Sequence, residues 1–512
     1  MVEQLPAIVV LTPMVAALLV TLLGLRRRAW CFPVVIVGLG ATLAAATGLL
    51  VRVYRDGPVD YFMGGWEVPL GIGIQLRVDG LNALVLMTVA VVALIVGVYS
   101  FRREEDVKVP AKTVPFYTLF LLLVTGLCGI TITADAFNLF VLLEVTSLTG
   151  YGLVAMGSSK RGKVAAFNYV IMGTIGASFI LLGTGYLYIQ TGTLNMEGIR
   201  EVIEAQDLFG STTIVVAFIL MMVGVFIKMA FFPLYGWLPN AYSYCPSTTS
   251  CILAPLMTKV SIYIMIRFML GIFGAEYVFQ AHATAIVVWL AVLAVLAGSL
   301  LALAQVEIKK MLCYLIVAEV GYMVGGAWLA NHWGMVGALY HIVSDAIMTL
   351  CLFLGASILW SRLKARRIDD LSGAFRKMPW TMSAFVLGGL AMIGVPPTSG
   401  FFSKWYLIRG GMEAGRWEYV VVLLVSSLVN AILFFRIIEI AYFGKEPAES
   451  HGGAHGEGDV EERVAAPRVR LVALWAAAIL VVLVGVFNGE LVSFIEKGLE
   501  GIPIIGNVGG GN

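Results

Sequence analysis

Lys228 and Lys259 each stand inside an apolar stretch long enough to cross a bilayer, TTIVVAFILMMVGVFIK and LMTKVSIYIMIR. An ammonium at mid-bilayer costs about 2.5–3.5 kcal/mol on insertion scales, so a chain retains one there for a reason. Between the two lysines, Pro233 and a Trp237–Leu238–Pro239 turn interrupt the helix. Membranes tolerate such breaks only where the freed backbone groups face protein or water. Two buried cations flanking a broken helix read as an ion path. The competing reading, side chains that snorkel to the headgroups, is disfavoured because both lysines lie far from the ends of their spans. Glu144, in NLFVLLEVTSLTGYGLVAM, supplies the opposite charge, with Ser147 and Tyr151 on the same helical face. An unpaired carboxylate at that depth would take up a proton, and Lys228 is its candidate partner. At about 4 Å and an effective dielectric near 20, such a pair is worth about 4 kcal/mol. That is enough to switch a lysine between holding and releasing a proton when the carboxylate moves. The competing reading is a static ion pair that ties two helices together.

The second half of the chain repeats the theme. AMIGVPPTSGFFSK breaks another span at Pro396 and Pro397, with Gly400 permitting a turn, and Lys404 follows. Glu319, Tyr322, His341, Ser344, Asp345 and Thr349 lie inside the two apolar spans at 309–329 and 333–360. His341 and Asp345 are four residues apart on one helical face and are candidates for a proton relay; a simple hydrogen-bonded histidine is the alternative. Glu319, Tyr322 and Thr349 are further candidates for that relay. Glu307, Lys309 and Lys310 open their span at a membrane surface and read as an interfacial anchor, with Lys310 a candidate for taking up protons.

The elements that must position these residues follow from hydropathy. The chain has 512 residues, 60% hydrophobic and 13% charged, against about 25% charged in soluble domains. This is the composition of an all-α polytopic membrane protein. About 14 spans of roughly 20 residues are predicted, with breaks in spans 7 and 12. The two breaks take the same place in two five-helix units, the pattern of inverted repeats with a transport path between them. The predicted boundaries are 1–112 for three N-terminal helices and a polar hairpin (Asp56 to Arg77), 113–272 and 273–442 for the repeats, and 443–512 for a loop and span 14. Span 14 is placed at 469–494. The first apolar run ends at Arg26–Arg28 without a small-residue cleavage site and is expected to remain as a helix. Counting Lys and Arg by side gives roughly 22 on the face after odd-numbered spans against about 7 on the other. Both termini are therefore expected outside the cytoplasm, in a multi-pass protein of the cell membrane.

Six scattered cysteines have no metal-ligand or cluster spacing, and no glycine-rich nucleotide loop or haem-ligating histidine pair occurs. No cofactor, no metal and no nucleic-acid partner is expected, nor an active site of the chain's own. The loop Glu446–Arg468, with His451 and His455, reads as a Gly-rich charged linker.

With these residues in view, the chain resembles the antiporter-like subunits shared by Mrp cation/proton antiporters, respiratory complex I and membrane-bound hydrogenases. The matching stretches are LLEVTSLTGYGLVA (Leu142 to Ala155), IKMAFFPLYGWLPNAY (Ile227 to Tyr242), MTKVSIYIMIR (Met257 to Arg267), DDLSGAFRKMP (Asp369 to Pro379) and GVPPTSGFFSKW (Gly394 to Trp405). TGTLNM (Thr191 to Met196) looks most like the D-type component of Mrp complexes. The resemblance implies a 14-helix fold with inverted repeats and a hydrated polar axis. It also implies Glu144 and Lys228 as a switching pair, Lys259 as central relay and Lys404 as terminal lysine. Where the family pattern has Asp and His after the first break, this chain has Asn240 and Tyr242. Asn168, Ser344 and Thr349 stand where titratable residues are usual. The middle of the relay is chemically thin, and Asp345, His341, Glu319 or water must fill it. The leading expectation is a proton-translocating subunit of a multi-subunit cation/proton antiporter, with other membrane subunits as partners and H⁺ with Na⁺ or K⁺ as cargo. The alternative is a proton-pumping membrane-arm subunit of an NADH–quinone oxidoreductase or energy-converting hydrogenase. A stand-alone carrier of an organic substrate fits less well, because the buried charges form a line and not a pocket.

Overall fold

The computed structural model describes residues 4–66, 73–101, 112–157, 159–280, 283–444 and 466–500. Most of the loop with His451 and His455, and the basic residues Arg102, Arg103 and Lys108, fall outside that set. Three apolar helices open the chain, α1 (Leu5–Arg26), α2 (Cys31–Asp56) and α3 (Gly80–Tyr99). Between the latter two runs a hairpin of β1 (Val59–Phe62) and β2 (Gln75–Val78), antiparallel with Val59 opposite Val78. The first five-span unit follows as α4 (Thr113–Ile132), α5 (Ala136–Ala155), α6 (Lys160–Thr191), a short α7 (Met196–Ala205), the broken pair α8 (Thr212–Lys228) and α9 (Leu238–Tyr244), then α10 (Ser247–Arg267). After a small α11 (Ala275–Gln280) come α12 (Ala283–Leu303), α13 (Ile308–Trp328), α14 (His332–Leu363) and α15 (Ala374–Lys377). The second broken pair, α16 (Pro379–Ile393) and α17 (Ser399–Glu413), precedes α18 (Trp417–Phe443), α19 (Arg468–Val486) and α20 (Asn488–Leu499).

Twelve helices among the described residues are long and apolar enough to cross a membrane, and the two shorter apolar ones, α8 and α16, begin the broken spans. Twelve and two make the fourteen spans that hydropathy leads one to expect. A unit of five crossings ends on the side opposite to its start, so the second unit enters the membrane inverted relative to the first.

Two stretches differ from the sequence expectation. Span 14 ends at Val486, eight residues early, and Asn488–Leu499 forms a separate helix that buries Val492, Phe494, Ile495 and Leu499. The polar residues Asn488, Glu490, Glu496 and Lys497 make that segment amphipathic, and such a helix lies along the bundle's end. Hydropathy also passed over α7, whose Met196, Ile199 and Ile203 are buried at helical spacing beneath an Asn195 cap.

The hairpin would be marginal alone. Its second strand is pinned because Gln75 accepts the Ala134 N–H at 2.9 Å, while its side chain takes the Asn195 amide at 2.5 Å. Arg77 pairs with Glu197 at 2.6 Å, and Asp79, which caps α3, pairs with Arg267 at 2.7 Å. These contacts gather the hairpin, the α4–α5 turn, α7 and the end of α10 at one face of the bundle. At the other face Lys112 donates to the Met156 carbonyl at 2.9 Å, and Arg366 pairs with Glu307 at 3.4 Å.

Helices approach closely where glycine removes a side chain. A Cβ at Gly298 of α12 would stand 2.6 Å from the Ala318 nitrogen and 2.9 Å from the Tyr314 carbonyl of α13. Backbone cannot give way there as a flexible side chain can. Gly298→Leu is expected to force α12 from α13 at a cost of about 1–3 kcal/mol or more. A lowered unfolding midpoint of the detergent-solubilised protein checks this; an unchanged midpoint counts against the packing.

Candidate functional site

Each broken span leaves a helix end inside the bundle, and two of the buried lysines, Lys228 and Lys404, lie at those ends. Lys228 is the last residue of α8, just before the break that holds Pro233, and Pro239 opens α9 beyond it. Its ammonium donates to the Ser147 hydroxyl at 2.7 Å and lies 3.5 Å from Glu144 Oε1. The two charges expected to meet do meet, with Ser147 as the closer partner. Beside them lies a cavity of about 20 Å³ bounded by Ser147, Tyr169, Lys228, Trp237, Met257 and Ser261, which is room for about one water. Met257 and Ser261 belong to α10, the helix that carries Lys259.

Lys259 is sealed in the bundle, with its Nζ 2.8 Å from Asp345 Oδ2 of α14 and neither side chain accessible beyond 1%. Thr349, one turn further along α14, donates to the other Asp345 oxygen at 2.8 Å. This pair joins the first five-helix unit to the second.

The expected step from Asp345 to His341 along one helix is not how the side chains are paired. Positions four apart on α14 face different neighbours: Asp345 meets α10, whereas His341 meets Glu319 of α13 at 2.6 Å. The other ring nitrogen, Nδ1, lies 2.8 Å from the Ser403 hydroxyl of α17. That hydroxyl donates its single proton to the Gly400 carbonyl at 3.0 Å, so it accepts from Nδ1–H. The proton on Nδ1 is thereby assigned from the network. Only one further proton then lies between Nε2 and Glu319, held either by the imidazole or by the carboxyl. Glu319, read from sequence as one of several candidates, thus becomes a principal member of the site. No spacing rule could have matched it to His341, since 22 residues and a helix–helix packing separate them.

Lys404 adjoins Ser403 on α17. Its ammonium donates to the Met392 and Ile393 carbonyls at 2.7 and 3.3 Å and to the Ser427 hydroxyl at 3.1 Å, and lies 5.2 Å from the centre of the Tyr322 ring. Pro396 and Pro397 end α16, so its last carbonyls are free to accept, and a cation belongs at that negative end of a helix. Tyr322 in turn donates to Ser426 at 2.6 Å. Ser344 bonds Ser399 at 2.9 Å, tying α14 to the first turn of α17.

Lys309, read from sequence as part of an interfacial anchor, is turned into the bundle. It is buried, with its ammonium near Ser247 and Ser250 at 3.1 and 3.2 Å and over the Trp360 ring at 4.6 Å. A long side chain one residue inside a span can turn inward as easily as outward, and sequence cannot separate the two.

The Lys259–Asp345 pair sets a stability test. Removing one partner of a buried ion pair costs about 3–5 kcal/mol, whereas replacing both by apolar groups is often neutral. Asp345→Ala is expected to lower the unfolding midpoint strongly, and Lys259→Met with Asp345→Leu to recover most of the loss. Additive losses in the double variant would show that the pair is not a unit.

Residues 133–430, more than half the chain, match the family model described as NADH:quinone oxidoreductase/Mrp antiporter, transmembrane. The chain is 40% identical to the N-type component of the NADH-quinone oxidoreductase of Desulforudis audaxviator over 96% of its length and 98% of that protein's. It is 29% identical to the D-type component of the Na⁺/H⁺ antiporter of Bacillus subtilis, covering 81% of this chain and 84% of that one. Among solved structures, a chain of the archaeal membrane-bound sulfane sulfur reductase superposes with a TM-score of 0.87 at 27% identity, covering 98% of both chains. By the extent of these matches, the chain belongs to the NADH:quinone oxidoreductase/Mrp antiporter transmembrane family.

Proposed function

We propose that this chain carries protons across the membrane as one subunit of a larger complex, using Glu144, Lys228, Lys259, Asp345, Glu319, His341 and Lys404 as the groups that hold them. The observation that carries this reading is the succession of buried ionisable pairs. Lys228 meets Glu144, Lys259 meets Asp345, and His341 meets Glu319. A structural protein gains little from burying so many charges, since each pair must first overcome desolvation. Because Asp345 and His341 are one turn apart and Ser403 adjoins Lys404, adjacent groups link the second unit from its centre to its break. Thr349 acts as a positioning residue by holding the Asp345 carboxylate. The basic loops lie on the cytoplasmic side in this reading, with both termini opposite, in the cell membrane. The boundaries 113–272 and 273–442 mark the two half-paths.

Partners are supported by the flank of α5. Glu144 is 27% exposed, and Phe137, Val141 and Leu148 stand out on the same side. A carboxylate at mid-span on the outer wall calls for another membrane subunit to cover it.

By the antiporter reading, proton movement drives Na⁺ or K⁺ the other way, as the name of the Bacillus subtilis relative states of Na⁺ for that protein. A second reading, a proton-pumping subunit of a redox complex, is favoured by the higher identity to an NADH-quinone oxidoreductase subunit. Vesicles containing the purified complex separate the two. Proton uptake in response to an imposed Na⁺ or K⁺ gradient supports the first, and uptake only on addition of a reductant supports the second.

In the same assay Glu144→Ala and Lys228→Ala are expected to abolish proton flux in complexes that still assemble, and near-normal flux in either would sink the reading. Lys404→Arg is expected to fail as well, because a guanidinium does not release a proton near neutral pH. Wild-type rates with Arg would make that position a fixed charge. Thr349→Val, which keeps the volume and removes the donor to Asp345, should slow flux where Thr349→Ser does not. Equal rates in these two variants would remove Thr349 from the path.

A further inference from the structure

Four lysines are buried among the described residues, and the path above uses three of them. The fourth, Lys309, has no carboxylate within ion-pairing distance among those residues. Glu307, two residues away, is turned to Arg366 at 3.4 Å instead. The Lys309 ammonium rests on the hydroxyls of Ser247 and Ser250, which lie in the first turn of α10, and on the Trp360 indole. The thiols of Cys245, Cys251 and Cys313 lie near it, and Arg366 adds a fixed charge of the same sign. A helix N-terminus is the positive end of the backbone dipole, so a cation there is poorly placed. The Lys309 ammonium is thus held by hydroxyls and a π-face, with no counter-charge beside it among the described residues.

What lies inward of Lys309 is polar on both sides of one seam. Cys251 of α10 meets Ser357 of α14 at 3.4 Å. Two turns further along each helix, at the same spacing of eight residues, stand Lys259 and Thr349, the first paired with Asp345 and the second bonded to it. Lys259 also folds back toward Cys251, donating to the Ala254 carbonyl at 3.3 Å. Thr258, beside it, keeps a buried hydroxyl without a partner. The polar groups on each helix are eight residues apart, about 12 Å of rise, with Phe353 midway on α14; on α10 the Lys259 side chain shortens the gap by reaching back to the Ala254 carbonyl.

We infer that Lys309 is a proton-loading group at the mouth of a second access route, which reaches the Lys259–Asp345 pair from the basic-loop face along the α10–α14 seam. The step moves a proton and no electrons. Lys309 takes the proton from water at that face and releases it inward through the Ser250 and Cys251–Ser357 hydroxyl and thiol groups. Water carries it past Ala254 and Phe353 to the amine of Lys259 or the carboxylate of Asp345. The central pair is then loaded directly, without a proton first crossing the Glu144–Lys228 pair. This inference rests on the proton-carrying reading given above.

The test uses the whole complex in vesicles, with proton flux read by a trapped pH dye and assembly read by native gel. Flux in the wild-type complex establishes the underlying reading by itself; absence of any flux there overturns that reading and this one together. Given wild-type flux, Lys309→Arg is the decisive variant. Arginine keeps the charge, the donors and the contact with Trp360 but does not release a proton, so a merely structural lysine is rescued by it. An assembled Lys309→Arg complex is expected to be slower by about tenfold or more, the scale of a lost proton-transfer group, and Lys309→Met likewise. Wild-type flux in Lys309→Arg overturns the inference. Should neither variant assemble, Ser357→Ala, a smaller change that leaves Lys309 in place, is expected to slow flux several-fold. An unaltered rate in Ser357→Ala overturns the route.

Discussion

An ionised group inside a membrane protein must be given back most of what water provided, and the arrangement of this bundle follows from doing that four times over. Each buried lysine is accommodated by a different means. Lys228 has a hydroxyl and a partly exposed carboxylate, and Lys259 has a carboxylate that is wholly enclosed. Lys404 has backbone carbonyls and a serine, and Lys309 has two hydroxyls and an indole. The differences decide what each can do. A carboxylate supplies a full counter-charge, whereas hydroxyls, carbonyls and an indole supply only dipoles. The helix breaks answer the same need. A continuous span would spend all its carbonyls on its own ladder, whereas the ends left near Met229 and Gly394 offer some to side chains.

Much of the fold was legible because the membrane constrains it so tightly. Fourteen apolar runs, two proline breaks and the alternation of basic loops are properties of composition along the chain, and the helices fall within a few residues of them. What escaped was amphipathic and short. Hydropathy averages Met196–Ala205 to nothing, although its apolar residues recur at helical spacing, and it merges Asn488–Leu499 with the span before it. The site was legible in its members more than in its pairs. Glu144 and Lys228 could be matched because each was the charge of its span. Lys259 with Asp345, and Glu319 with His341, could not. Those pairings depend on which face of α14 meets α10 and which meets α13, and that is set by packing of the two five-helix units. The i, i+4 relation of His341 and Asp345, which makes them candidates for a relay, places them one turn apart on α14. It said nothing of the stronger partners standing across from each.

The placement of Lys259 and Asp345 has a consequence for how the halves communicate. One charge of the pair belongs to the first unit and the other to the second, and both are closed off from solvent. In the proton-carrying reading, a proton taken up by Asp345 leaves Lys259 as a lone cation, and a proton lost by Lys259 leaves Asp345 as a lone anion. At that depth an effective dielectric of about 20 makes the interaction about four times its value in water. The imbalance is felt next at His341, one turn along α14, where a single proton is shared between imidazole and Glu319. In that reading a positive charge left on Lys259 repels a proton on the imidazole, and a negative charge left on Asp345 attracts one. The charge state of the central pair, in the same reading, biases the proton position at His341 through two side chains of one helix. In the proton-carrying reading, the chemically thin stretch that Ser344 and Thr349 create is bridged electrostatically, by charge acting across a turn of helix.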